Sequence, residues 1–315
     1  MYEWIGKVTG NEQKRRQLAA LCRRLPDSLL LFLCRASAFM LYALAGKNVK
    51  RTVLSNMSDL LPGRTPRELQ RYRYRYFENI VITLYELLME SFELEESGAR
   101  RFQVEGEEHL SEALRRGRGA IVYTPHVGNF FYYYWYLCQN YSCLTVVTAG
   151  SPELRPLYLT FQAMGCTGLD YDETPPLELF RKLRRHLQAG GVVFLLGDFW
   201  RPSFPRSRFF SRVTRTPDGA ATLSIDQLAP VIPFYGWREQ GFTHRLRFEP
   251  PLHLYTSYSK ATRSDATRVL NRFMERVIRE RPEEWFYWFN AQERWEEEQE
   301  PGMADAAKES SAHTA

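Results

Sequence analysis

The chain has 315 residues, 44% of them hydrophobic, and a formal net charge of +5; this is enough apolar side chain for a substantial core and excludes a mostly disordered protein. Only seven of the 42 basic residues are lysines, so the positive charge is nearly all guanidinium, whose planar fork suits phosphate and carboxylate groups. Five cysteines (Cys22, Cys34, Cys138, Cys143, Cys166) show no CxxC and no zinc spacing, which points to a reducing compartment and excludes a disulfide framework.

Residues 1–25 are polar and basic, and no small-residue cleavage site follows them at the distance of a cleavable signal. "PDSLLLFLCRASAFMLYALAG" (Pro26–Gly46) is strongly apolar but carries Arg35 near its middle. A central Arg costs roughly 2.5–3.5 kcal/mol on insertion scales, so the segment reads as a helix lying on a membrane face, or as a buried core helix, and not as a span. Arg23, Arg24, Lys47, Lys50 and Arg51 flank it. "TPRELQRYRYRYFENIVITLYELLMESF" (Thr65–Phe92) reads as one long helix. Thr65 stands at the N-cap, Pro66 at N1, and Glu68 completes a capping box. Ile80, Leu84, Leu87 and Leu88 recur at helical spacing.

From about residue 100 short apolar runs alternate with helical patterns. "FQVEG", "AIVYT", "LTVVTAG", "VVFLLGD", "PVIPFYGWRE" and "RLRFEPPLHL" read as strands. "EEHLSEALRRGRG", the aromatic run after "PHVGN", "PELRPLYLTFQAMG", "PPLELFRKLRRHLQAGG", "DGAATLSIDQLA" and "DATRVLNRFMERVIRERPEEWFYWF" read as helices. "LDYDE" (Leu169–Glu173) and "SIDQ" (Ser224–Gln227) read as surface features. The alternation predicts an α/β fold, a mostly parallel central sheet flanked by helices. The expected organisation is a helical, membrane-associating region over 1–95, an α/β domain over 96–296 and a disordered polar tail over 297–315.

In such a sheet, ligands gather beyond the carboxyl ends of the strands. Two polar residues fall there: His126 after "AIVYTP" and Asp198 after "VVFLLG". Gly128 permits close approach beside His126. "RSRFFSRVTRTPDG" sets Arg206, Arg208, Arg212 and Arg215 beside Thr216 and Gly219, and an Arg cluster suits phosphate, with a solvated basic loop as the alternative. The aromatics of "FFYYYWY" line an acyl tunnel or pack a core. No G-x-S-x-G occurs, which excludes the usual serine hydrolase elbow. No metal or cofactor is expected.

Four blocks, in order, resemble the lipid A lauroyl/myristoyl acyltransferase family of the lysophospholipid acyltransferase superfamily: "RTVLSNMSDLLPGRTPRELQRYRYRYFENIVITLYE", "EALRRGRGAIVYTPHVGNF", "RSRFFSRVTRTPDGAATLSIDQLAPVIPFY" and "RPEEWFYWFNAQERW". The resemblance covers roughly residues 20–295. It implies a glycerolipid-acyltransferase-like fold and an H-x4-D/E dyad, in which the His is general base on an acceptor hydroxyl or amine that attacks an acyl thioester. His126, Gly128 and Asn129 match that motif. The acid position is occupied by Phe131, and the arginine block lines the donor or acceptor site. Three readings are open: Asp198 replaces the missing acid; a more nucleophilic acceptor needs less base assistance; or the chain is a catalytically inactive lipid-binding or scaffold homologue. The implied partners are an acyl carrier protein or coenzyme A thioester, a membrane surface, and an acceptor lipid or small molecule. An aminoacyl-tRNA donor, in specialised-metabolite assembly, is the unusual alternative. The expected location is peripheral, on the cytoplasmic face of the inner membrane, or the cytoplasm.

Overall fold

The computed structural model describes residues 12–91, 94–148 and 155–297. The expected tail from residue 298 onward, Phe92 at the end of the long helix, and the Gly150 end of "LTVVTAG" lie outside them.

Four helices come first: α1 (Glu12–Cys22), α2 (Asp27–Leu44), α3 (Lys47–Leu60) and α4 (Pro66–Tyr85). The capping box on α4 forms as expected: Thr65 Oγ1 accepts from the Glu68 amide at 3.3 Å, and Glu68 Oε2 accepts from the Thr65 amide at 2.8 Å. The helix does not run on to Phe92 in one geometry. It loosens into a π-helical turn over Glu86–Glu90, a departure often found where a side chain must be re-aimed toward a site.

The helix α2 turns Leu30, Cys34 and Ala38 inward at i, i+4, i+8, and Arg35 Nε donates to Glu78 of α4 at 3.0 Å. Its opposite face leaves Phe32, Phe39 and Met40 more than 60% exposed, and Leu44 83% exposed. By length and composition it is the one helix among the described residues apolar enough to cross a membrane. Eighteen residues give about 27 Å, slightly short of a hydrocarbon core of about 30 Å.

The remainder follows as α5 (Leu94–Arg101), β1 (Phe102–Glu105), α6 (Glu107–Arg115), β2 (Ala120–Thr124), α7 (Phe130–Asn140), β3 (Cys143–Val147), α8 (Arg155–Ala163), β4 (Thr167–Asp170), α9 (Pro176–Gln188), β5 (Val192–Leu196), β6 (Arg206–Phe209), β7 (Arg212–Arg215), α10 (Gly219–Gln227), β8 (Val231–Gln240), β9 (Thr243–Phe248), α11 (Leu254–Ser257) and α12 (Arg263–Glu280). Seven strands form one sheet in the order β1-β9-β8-β2-β5-β3-β4. Every pairing is parallel except β8 with β9. The mostly parallel α/β architecture is thus as expected. The strands β2, buried throughout, and β5, buried over its first three residues, read "AIVYT" and "VVFLL", the near-continuous apolar runs that a sheet covered on both faces requires.

Three local expectations are corrected. "SIDQ" is not surface throughout, because Ser224 is fully buried and its hydroxyl donates to the Ala229 carbonyl at 2.7 Å. "RSRFFSRVTR" is a two-stranded hairpin, β6–β7, with Phe210 and Ser211 at positive φ in its turn. The last helix stops at Glu280, before Pro282, and "PEEWFYWFNAQER" continues as short 3₁₀ turns, since proline removes a donor and clashes with the preceding turn. One core cluster joins the N-terminal helices to the sheet: Val53, Met57 and Tyr76 share it with Ile121, Val193, Val231 and Trp288.

Candidate active site

The strands β2 and β5 pair in parallel with Thr124 opposite Leu196. Two residues further along each chain stand His126 and Asp198. Adjacent strands lie about 4.8 Å apart, so equal overrun from a common register brings the two side chains together at the carboxyl end of the sheet. His126 Nδ1 lies 2.6 Å from Asp198 Oδ1, and the His126 amide donates to both carboxylate oxygens at 3.0 Å. The indole N–H of Trp285 donates to Oδ2 at 2.7 Å.

Asp198 has no exposed side-chain surface, whereas His126 retains 13%. Burial alone would push the Asp198 carboxyl up. The His126 imidazole, the Trp285 indole and the Arg294 guanidinium more than offset it and hold the group below the ordinary carboxylate range. An ionised Asp198 accepts only, so it fixes the neutral imidazole with its proton on Nδ1 and leaves Nε2 as the basic nitrogen. This is the arrangement of an oriented general base.

The loop carrying His126 is held from three sides. Gly128 sits at φ +59, and a Cβ there would meet the Tyr133 hydroxyl at 2.0 Å and the Gly236 carbonyl at 3.0 Å. Its amide donates to the Glu284 carbonyl at 3.0 Å, and the Phe286 amide donates to the His126 carbonyl at 2.9 Å. The third hold is Asn129, which caps α7 through the Tyr132 amide at 3.3 Å and donates to Glu86 Oε2 at 2.9 Å. Glu86 comes from the π-helical turn and is buried with His244; His244 and Arg238, whose side chain is 8% exposed, pair with it. Burial would raise the Glu86 carboxyl, but Arg238 and His244 hold it far below its usual range. Burial pushes His244 down, against the pull of Glu86, so it is neutral and donates from Nε2 at 2.9 Å.

Phe131 does not fill the space beside the imidazole. Its ring stacks on Phe130 at 4.9 Å between centroids and meets Phe161 of α8 at 5.3 Å. The rings that meet His126 are Phe130 and Tyr287, each at 4.9 Å and edge-on.

The hairpin arginines make structural pairs. Arg206 and Arg215 both bind Glu296, Arg212 binds Asp59, and Arg208 donates to the Ser211 carbonyl within its own turn. Thr216 is buried and receives a hydrogen bond from Asn271 at 3.2 Å, and Gly219 opens α10. The structure therefore gathers His126, Gly128, Asn129 and Asp198 into one site, and uses the arginine block to tie the C-terminal segment to the hairpin. The residues that sequence reasoning passed over are Trp285, Tyr287 and Arg294 around the dyad, and Glu86, Arg238 and His244 beneath it. In the sequence, Trp285 and Arg294 stand only as members of the block "RPEEWFYWFNAQERW"; no local pattern ties them to Asp198.

An α/β sheet thus carries, beyond the carboxyl ends of two neighbouring central strands, a partly exposed imidazole bonded to a fully buried carboxylate and flanked by apolar rings. The family model for bacterial lipid A biosynthesis acyltransferases matches residues 17–296, and the chain belongs to that family. Among similar proteins, the phosphatidylinositol mannoside acyltransferase of Mycolicibacterium smegmatis is 34% identical over 145 residues, 42% of this chain and 44% of that protein. The Mycobacterium tuberculosis protein of the same description is 32% identical over 144 residues, 42% and 43% of the two chains. The alignments thus span less than half of these relatives. A solved structure of the 1-acyl-sn-glycerophosphate acyltransferase from Thermotoga maritima matches 80% of this chain and 97% of its own, at 11% identity and a TM-score of 0.36.

Proposed function

We propose that this protein is a peripheral membrane acyltransferase in which His126, oriented by Asp198, is the general base. The acceptor hydroxyl or amine gives its proton to His126 Nε2 as it attacks the carbonyl of an acyl thioester. The tetrahedral intermediate collapses, the carbon–sulfur bond breaks, and the imidazolium returns the proton to the thiolate. Asp198 stabilises the transient imidazolium without taking its proton. The observation that carries this reading is the 2.6 Å contact between His126 and a buried, ionised Asp198. It supplies the acid missing at Phe131, so neither an unusually nucleophilic acceptor nor a decayed site is needed to explain the sequence.

The donor proposed is a coenzyme A or acyl-carrier-protein thioester, and the acceptor is a polar lipid hydroxyl, in keeping with the names of the relatives. The apolar rings around His126 favour an aliphatic chain over an aminoacyl-tRNA. Membrane attachment is proposed through the exposed face of α2, which lies in the interface with its other face on α4. The test is incubation of the purified chain with acyl thioesters and phospholipid or glycolipid vesicles. Wild type forms acylated lipid and free thiol; His126→Ala and Asp198→Asn bind vesicles equally but do not turn over. Equal turnover by all three would end the proposal.

A further inference from the structure

We infer that Arg294 is a positioning residue for the His126–Asp198 pair, acting through Trp285 and Tyr287; this rests on the reading of His126 as the base. Arg294 is 5% exposed, and among the described residues no carboxylate forms an ion pair with it. An isolated buried cation is costly, so its retention calls for a local reason. Its Nη1 donates to the backbone carbonyl of Asp198 at 3.2 Å. The guanidinium carbon lies 5.2 Å from the centroid of Trp285, 5.0 Å from that of Tyr287 and 5.9 Å from that of Phe209. Cation–π attraction of this kind is strongest where, as here, the cation is desolvated.

Each contact leads to one side of the dyad. Trp285 is the residue that donates to Asp198 Oδ2. Tyr287 is one of the two rings against the imidazole. The Asp198 carbonyl fixes the backbone from which the carboxylate springs. Arg294 touches all three without touching a reacting atom. It also balances charge: with Asp198 ionised and Arg294 protonated, the buried group is neutral while the imidazole is neutral. Burial pushes the guanidinium down and the Asp198 charge pushes it back up. Arg294 is anchored in turn, because the Thr214 hydroxyl of β7 donates to its carbonyl at 2.6 Å. The arginine-rich hairpin thus reaches the dyad through Arg294 as well as through Phe209 and Phe210, whose rings pack on Trp285.

The test compares wild type, Arg294→Met, Arg294→Lys and Trp285→Phe in the thioester assay, with thermal unfolding of each. Arg294→Met is expected to lose about 100-fold in kcat, the scale of a misplacement near 1 Å, with KM for the donor within about threefold. Arg294→Lys recovers part of that loss. The far-downfield proton resonance of His126 Nδ1–H, present in wild type, moves upfield or broadens in Arg294→Met and Trp285→Phe. A folded Arg294→Met with wild-type kcat and an unmoved resonance overturns the inference. If Arg294→Met does not fold, Trp285→Phe decides: an unchanged kcat and resonance there overturn it equally. Wild type without turnover ends the proposed function instead, and the resonance still reports on the positioning.

Discussion

Replacing Asp198 by Asn keeps the shape of the side chain and removes its charge, so the effect can be worked from the donors around it. The carboxylate accepts from the imidazole, the His126 amide and the Trp285 indole. An amide has only one accepting oxygen. If that oxygen faces Trp285, the NH₂ group faces Nδ1, and the imidazole must move its proton to Nε2 to accept. Nε2 is then no longer a base. If the oxygen faces Nδ1, the indole N–H loses its partner, at a cost of about 1–3 kcal/mol for a buried donor, and the imidazolium loses its counter-charge in either case. The corresponding change in a serine protease costs about 10⁴ in kcat, or about 5.4 kcal/mol at 1.36 kcal/mol per tenfold. A fall in kcat of about 10³ to 10⁴ is expected here, with the protein folded and KM little changed, read as thiol release from an acyl thioester. A variant within tenfold of wild type would refute the assignment of Asp198 as the partner of the base.

Phe131→Glu, which restores the family's acid, should not raise activity, because position 131 packs on Phe130 and Phe161; a clear gain in lipid acylation would show that the helix can turn that acid toward His126. Gly128→Ala forces a side chain into positive φ and against the Tyr133 hydroxyl, and should cost at least about 2 kcal/mol, measured by chemical denaturation. Phe32→Glu with Phe39→Glu removes two exposed aromatics from α2; at about 1.5–3 kcal/mol per buried side chain, flotation should report vesicle affinity at least about 100-fold lower. Glu90 is pushed up to about 8 by burial, with Glu86 and Asp27 adding to the rise against the pull of Arg101. The folded state therefore holds a proton that the unfolded chain releases near its ordinary value, so stability present at low pH declines as pH rises through about 8, and Glu90→Gln should flatten that decline in thermal melts.

How far the site was legible follows from the distances along the chain. The two strands and their overhanging polar residues were readable because each is a local pattern, a β-rich run followed by one titratable side chain. Their meeting was a candidate only, since nothing local says that β2 and β5 are neighbours in register. Trp285 and Arg294 bond Asp198 from 87 and 96 residues away, and the proline that ends α12 sends them there by breaking a helix that the apolar spacing alone would have extended. The pairing of the hairpin arginines is hidden for a complementary reason. A charge cluster is visible in sequence, but its partners Glu296 and Asp59 are distant, so the partly exposed ion pairs that the folded hairpin makes are not. The buried group of Glu86, Arg238 and His244 is hidden by the same logic, each residue appearing singly in an ordinary helix or strand.

In the proposed acyl transfer His126 takes the acceptor's proton. Mass spectrometry of the lipid fraction, after wild type and His126→Gln are incubated with acyl thioester and lipid vesicles, measures this directly. Acylated lipid is expected from wild type and at least about 10³-fold less from His126→Gln at equal vesicle binding; equal product from the two proteins would remove His126 as the base.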